Sequence, residues 1–198
     1  MELDESMKPK DLVTDMWRTG PPPAKGQRQR YPSRFWHCFK EAYPSIIQSI
    51  HDDEIVLVKG KKVLHMFSGS LSWGDTTDIR PETGAKIVAP YNHLPIPDDT
   101  YDVVIADPPY NEIFAKEWKT DLPVPKRILI EATRVTKPSG LIAILHIIHI
   151  PAYKEAKVNL IGIHAVLTGN NNALRCLNVY RKKGGMPTDK RFLTEAFG

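Results

Sequence analysis

Three short stretches carry side chains suited to chemistry. Asp107-Pro108-Pro109-Tyr110 closes the apolar run Val103-Val104-Ile105-Ala106. A β-branched run that stops at a carboxylate and two prolines reads as a buried strand ending in a rigid, donor-poor turn. That edge is where open α/β sheets bind ligands. The same residues also suit a plain Asp-Pro turn with a packed tyrosine. Phe67-Ser68-Gly69-Ser70 follows the apolar stretch Val63–Met66. A small-residue loop after a strand lets a nucleotide-like cofactor approach the backbone, although a tight turn has the same composition. Asp78, at the tip of Thr76-Thr77-Asp78-Ile79, can accept both hydroxyls of a ribose. His146 and His149 invite a metal, but residues three apart on a strand point to opposite faces. Packed or hydrogen-bonded histidines are expected there and at His65 and His93, and no metal site is expected.

Strands must hold these groups. The patterning predicts them at 63–67, 76–79, 87–89, 101–106, 141–150, 161–168 and 174–181, the last two joined by Gly169-Asn170-Asn171-Asn172 as an antiparallel hairpin. Phe35, Phe39 and Tyr43 recur every four residues beside Trp36, predicting a helix capped by Ser33 and stopped at Pro44. Ile46, Ile47 and Ile50 predict a second short helix. A further helix is expected over 126–135, a turn at Lys137-Pro138-Ser139-Gly140, and a short polar helix near 153–158. Ile113, Phe114 and Trp118 are expected on a helix or loop over the Asp107 turn. Residues 1–32 have little apolar periodicity, and Pro21-Pro22-Pro23 marks a semi-extended arm. The expected division is a basic arm with an aromatic helix over 1–54 and a catalytic-sized domain over 55–198.

The chain of 198 residues is 41% hydrophobic and 25% charged, ordinary for a soluble globular protein. No apolar run reaches the length of a membrane span, and the acidic start Met1-Glu2-Leu3-Asp4-Glu5 lacks the order of a signal peptide, so a cytoplasmic location without membrane contact is expected. Cys38 and Cys176 have no metal-type spacing and read as free thiols. The net charge of +4 is unevenly spread. Residues 8–40 hold eight Lys/Arg against two acids and residues 175–198 hold six against two, while 41–174 hold thirteen against sixteen. Basic ends around an acidic body suit contact with phosphates. Lys25, Arg28, Arg30 and Arg34 are the candidate nucleic-acid contacts. The aromatics among them, Tyr31 and Trp36, are open to core packing or to base stacking.

The order of these stretches resembles a known family. From Val63 to about Lys183 the chain looks like a Rossmann-like class I methyltransferase that uses S-adenosylmethionine (SAM), an α/β fold with a mostly parallel seven-stranded sheet and a C-terminal antiparallel hairpin. Phe67-Ser68-Gly69-Ser70 resembles motif I, Asp78 the ribose-binding acid, and Asp107-Pro108-Pro109-Tyr110 motif IV of enzymes that methylate exocyclic amines of nucleobases, DNA adenine methyltransferases among them. The resemblance implies SAM as cofactor, bound by Phe67, Ser68, Gly69, Asp78, Ile79 and, where the family often has a second acid, Asn92. An exocyclic amine is a poor nucleophile because its lone pair is delocalised. The resemblance implies that Asp107 and the Pro108 carbonyl accept its hydrogens and aim the lone pair at the methyl group, with Pro109 fixing the turn and Tyr110 stacking on the extruded base. His65 stands where the family often has an acid, and Leu71 where a second glycine is usual. Gly69 and Asp78 are nine residues apart instead of about twenty, which implies a shortened first helix. The expected activity is methylation of a nucleobase amine, adenine in DNA first. Its rivals are an RNA base methyltransferase and a noncatalytic nucleic-acid-binding subunit. With no evident target-recognition domain, the arm, a protein partner or a homo-oligomer would supply specificity.

Overall fold

Apolar residues that alternate or run together along short segments build a single sheet, and the computed structural model describes it through residues 12–19, 31, 34–51, 54–69, 71, 73–168 and 173–184. In chain order the elements are β1 (Val13–Thr19), α1 (Phe35–Ala42), β2 (Ile47–His51), β3 (Glu54–Leu57), β4 (Val63–Met66), β5 (Asp75–Asp78), β6 (Ile87–Val88), β7 (Tyr101–Ala106), α2 (Glu112–Glu117), α3 (Pro125–Val135), β8 (Thr136–His146), β9 (Val158–Thr168) and β10 (Ala173–Lys182). The main sheet has the order β1-β9-β10-β8-β7-β4-β5-β6. All its pairs are parallel except the two made by β10. The central strands β4 and β7 are buried almost throughout, which is why they read as continuous apolar runs.

Several expectations are corrected. The sheet has eight strands, because residues 13–19, read as part of an arm, pair in parallel with β9 from Val13↔Gly162 to Thr19↔Thr168. Only Trp17 and Thr19 of this edge strand are buried, too few to produce a visible alternation. Ile47 and Ile50 lie in an antiparallel hairpin with β3, not in a helix; β-branched residues favour that half-buried pairing. Lys137-Pro138-Ser139-Gly140 turns inside β8, as a bulge opposite the single residue Asp102 between the pairs Tyr101↔Thr136 and Val103↔Leu141. A Cβ on Gly140 would stand 2.8 Å from the Asp102 carbonyl oxygen, so this bulge needs glycine. The strand expected over 141–150 ends at His146, and the polar helix near 153–158 is one 3₁₀ turn over Lys154–Ala156.

Both faces of the sheet are covered, by different means. On one face α3, the loop through Leu94 and Ile96, and Ile150 pack on Leu64, Val104, Ala106, Ile142 and Tyr180. On the other, β1, α1 and β2 bring Trp17, Phe35, Phe39 and Ile47 into one cluster with Val63, Ile105, Leu145 and Leu177, a core that crosses position 54. The aromatic stripe is therefore core packing. The connection from β4 to β5 spans only residues 67–74 and contains no helix among its described residues, a deeper reduction than a shortened helix. Trp73 and Trp36 fill the space instead, with His65 4.2 Å from the Trp73 ring and the two indoles 4.8 Å apart. Cys38 and Cys176 are free thiols. Among the described residues no helix is long and apolar enough to cross a membrane.

Candidate active site

The C-terminal ends of β4, β5, β6 and β7 converge on a cleft of about 280 Å³. Phe67, Asp78, Ile79, Asn92 and Pro109 line it, with Arg80, Tyr91, Trp118 and the segment Thr120–Val124 completing the wall. Gly69 lies just behind, at φ 54°, and its N–H donates to Asp78 Oδ2 at 3.0 Å. Ser68 N–H donates to the Thr77 carbonyl at 2.9 Å, binding the loop to β5. Asp78 is only 6% exposed, and its carboxylate is heavily used. Arg80 donates to it from its backbone N–H at 3.0 Å, from Nε at 3.0 Å and from Nη2 at 3.1 Å. The same guanidinium lies 5.7 Å from the Trp118 ring centroid. Apolar lining comes from Phe67, whose ring lies tilted against Tyr91 at 5.4 Å, and from the half-exposed Ile79, while Asn92, Thr120, Asp121 and Arg127 add polar groups.

The Asp107 turn forms the adjoining half, joined to the cleft through Pro109. Pro108, Pro109 and Tyr110 are buried and Asp107 is half-buried. The Tyr110 hydroxyl donates to Asp107 Oδ1. Burial, and then the Asp107 charge, push the Tyr110 hydroxyl well above its ordinary range, so it remains a donor. His146 meets the Tyr110 ring edge-on at 5.6 Å, Phe114 does so at 6.1 Å, and the Arg175 guanidinium lies 4.8 Å from its centroid. Tyr31 is also buried, and its hydroxyl is raised first by burial and then by Asp107, with Arg175 opposing. α2 is capped by Asn111, whose side chain accepts the Phe114 N–H at 3.0 Å, and is followed by Trp118 in the cleft wall.

Of the expected site residues, Phe67, Asp78, Ile79, Asn92 and Pro109 thus share one cleft, with Ser68 and Gly69 on the loop beside it and Asp107, Pro108 and Tyr110 on the adjoining turn. Arg34 is exposed and lines a different groove, with Asp15, Arg18 and Glu41 between β1 and α1. Lys25, Arg28, Arg30, Ser33 and Ser70 lie outside the described residues. His146 accepts the Ile148 N–H at 3.3 Å, and burial lowers its pKa. His149 Nδ1 is 2.9 Å from Asn178 Oδ1, and His65 is buried against Trp73. His93, expected to pack or bond, is exposed. Among the described residues no three His, Cys, Asp or Glu side chains gather as metal ligands. Sequence reasoning missed Arg80, Arg175 and the placing of Tyr31. Arg80, two residues past a strand-tip acid, carried a local signal for pairing. Arg175 carried none, because the sheet alone brings it to Tyr110.

No protein-family profile matches the chain, and no curated protein matches it in sequence. Solved structures do. A chain from the complex between the Haloferax volcanii Trm112 methyltransferase activator and its candidate methyltransferase aligns with a TM-score of 0.51 at 13% identity, over 76% of this chain and 91% of that one. The fold is the Rossmann-like methyltransferase fold, a mostly parallel sheet with a C-terminal antiparallel hairpin. Within the methyltransferase fold the strands other than β1 run β6-β5-β4-β7-β8-β10-β9, with β10 antiparallel to both neighbours. The [4+2]-cyclase SpnF aligns with a TM-score of 0.45 at 12% identity, over 85% of this chain and 87% of that one. A SAM-dependent methyltransferase from Methanosarcina mazei gives 0.44 at 15%, over 65% and 95%.

Proposed function

We propose that this protein transfers a methyl group from SAM to an exocyclic amine of a nucleobase, with adenine in DNA as the first substrate to test. One observation carries the reading: the Asp-Pro-Pro-Tyr turn ends the central strand β7, and its Pro109 forms part of the same cleft wall as Asp78 and Ile79. The lining suits an adenosine-like ligand. Asp78 offers a carboxylate to ribose hydroxyls, while Ile79, Phe67 and Tyr91 provide apolar surface for a purine, and Asn92 offers an amide. Ribose binding there requires Arg80 to leave the carboxylate, and Trp118 gives its guanidinium a cation–π partner already in reach. SAM, when bound, supplies an electrophilic methyl group. The chain's own work is to hold the nucleophile. Asp107 and the Pro108 carbonyl accept the two amine hydrogens, which localises the nitrogen lone pair and stabilises the charge that develops there. The two prolines keep those acceptors fixed and leave no competing N–H. Tyr110 orients Asp107 through its hydroxyl and supports the base.

Isotopically labelled methyl groups should pass from SAM to adenine in DNA, and Asp107→Ala should lower kcat by about 10²–10³ with far-UV circular dichroism unchanged, since Asp107 lies past the end of β7. Transfer surviving at the normal rate would overturn the role given to Asp107. Label entering RNA instead of DNA would redirect the reading to an RNA base methyltransferase. A protein partner is the second part of the proposal. The Haloferax relative is a chain of a complex containing a methyltransferase activator, which supports looking for an activator of this chain as the source of target recognition.

A further inference from the structure

Arg175 stands where the proposed substrate would go. It lies on β10 opposite Val166 of β9, and the next residue, Cys176, faces His146 of β8. This register delivers Arg175 to the sheet edge that carries the Asp107 turn. Its guanidinium is 4.8 Å from the centroid of Tyr110, whereas the neighbouring rings of His146 and Phe114 meet Tyr110 edge-on, at interplanar angles of 78° and 87°. Tyr110 is 8% exposed, and its hydroxyl is tied to Asp107, so the ring cannot turn out to meet a ligand while that bond holds. Arg175 is half-buried, on a long side chain that can move. A flat base that stacks on Tyr110 with its amine towards Asp107 therefore competes with the flat guanidinium for one place.

A guanidinium displaced from an aromatic face needs another partner. The anion that arrives with a nucleotide in a strand is the phosphate beside it, and arginine pairs with phosphate in a two-pronged geometry. A free nucleoside brings no such anion. We infer that Arg175 is a gate selecting phosphodiester-linked substrates: it covers Tyr110 against free nucleosides and opens by pairing with the phosphate next to the target nucleotide. The inference rests on the nucleobase-amine reading and makes the substrate class of that site a polynucleotide.

The test compares adenosine with a short single-stranded oligodeoxynucleotide containing one adenine, each with labelled SAM, for the wild type, Arg175→Ala and Arg175→Lys. Arg175→Ala is expected to lower KM for adenosine several-fold and to raise KM for the oligonucleotide about tenfold. It should also reduce the slope of log KM against log salt by about 0.7, the value for one phosphate contact on a single strand. Arg175→Lys keeps the charge without the planar fork and should restore the salt slope but not the block on adenosine. A merely structural role would move both KM values in the same direction and leave the salt slope alone, which would overturn the gate. If Arg175→Ala does not fold, the Lys variant decides: an adenosine KM unchanged from wild type rejects the gate. Wild-type protein inactive on every nucleic acid, with SAM bound, would overturn the methyltransferase reading itself.

Discussion

His65 and His164 are held neutral by burial, His65 down to about 3 and His164 down to about 4. In the unfolded chain each takes up a proton below the ordinary value near 6.5, whereas the folded protein resists until far lower pH. Their contribution to stability is therefore complete above about pH 6.5 and is lost as pH falls towards 4 and then 3. Each histidine should make stability fall by about 1.4 kcal/mol per pH unit in that window. Between pH 7 and pH 5 the pair should cost about 4 kcal/mol, measurable by urea unfolding at fixed temperature, and His65→Leu should remove about half of that dependence. A flat profile would mean that His65 and His164 find their protons in the folded state. His146, also lowered by burial, adds to the same slope with the same sign, so the share of His65 is read as the difference between wild type and His65→Leu, while the acids with lowered values, Asp102, Glu131 and Glu155, act mainly below about pH 5. At this scale Asp78 and Asp107 were legible in the sequence because each carboxylate ends a short apolar or β-branched run, a pattern that only a strand tip explains. Arg80 and Arg175 were not, because a guanidinium on a strand or loop has the same sequence appearance whether it is solvated or laid against a ring. In the sequence Asp78 is an acid at a strand tip that can accept ribose hydroxyls, and only the geometry reveals that Arg80 holds it.

Beside the β1–β9 ladder and the buried aromatics of α1, a polar contact ties the end of α1 to β9, which makes that tie testable. Tyr43, just after α1, has its hydroxyl 2.7 Å from His164 Nε2 on β9, and Trp17 of β1 stacks on the same imidazole at 4.4 Å. Gly162 makes room for this arrangement: a Cβ there would stand 2.4 Å from the Tyr43 hydroxyl and 3.0 Å from His164 Nε2. Gly162→Ala should break the contact and lower unfolding free energy by about 2 kcal/mol, seen as a fall in Tm of several degrees. An unchanged Tm would show that α1 is held by its aromatic face alone. The elements legible in the sequence are those with one dominant pattern: the buried run of β7, the amphipathic α3 opened by Pro125, and the hairpin of β9 and β10. The misread ones had a divided pattern. β1 buries two side chains of seven, and of three isoleucines at helix-like spacing Ile47 and Ile50 serve the β2–β3 hairpin instead. The region between β4 and β5 was legible as too short, but not that α1 and two indoles would replace the missing layer, because that substitution is decided by packing between distant segments.

At the scale of the whole molecule, a sheet of the methyltransferase fold has no α-helix among the described residues between β4 and β6, and one of its faces is covered by segments that precede β4 in the chain. α3 remains the only long helix on its face among the described residues, while the other face depends on aromatics from 17–47. The basic C-terminal stretch belongs partly to the fold: Arg181 donates to the Ser139 carbonyl at 3.1 Å, and Lys182 bonds Asp99 at 2.6 Å and the Thr136 carbonyl at 2.8 Å. That reduces how much of the terminal charge is free for phosphates. The pairing of β1 with β9 also constrains how the protein is made. Translation delivers β1 and α1 first, but the strand that completes β1 and the imidazole that receives Trp17 and Tyr43 emerge only after residue 164. Until then Phe35, Trp36 and Phe39 have no finished sheet beneath them, and a growing chain carries an exposed aromatic face through most of its synthesis. Ribosome-bound chains stopped before β9 should be cut by protease within residues 34–51 and bind chaperones, whereas chains extended past β10 and clear of the exit tunnel should resist cleavage there, making the last hairpin the step that commits this cover to its fold.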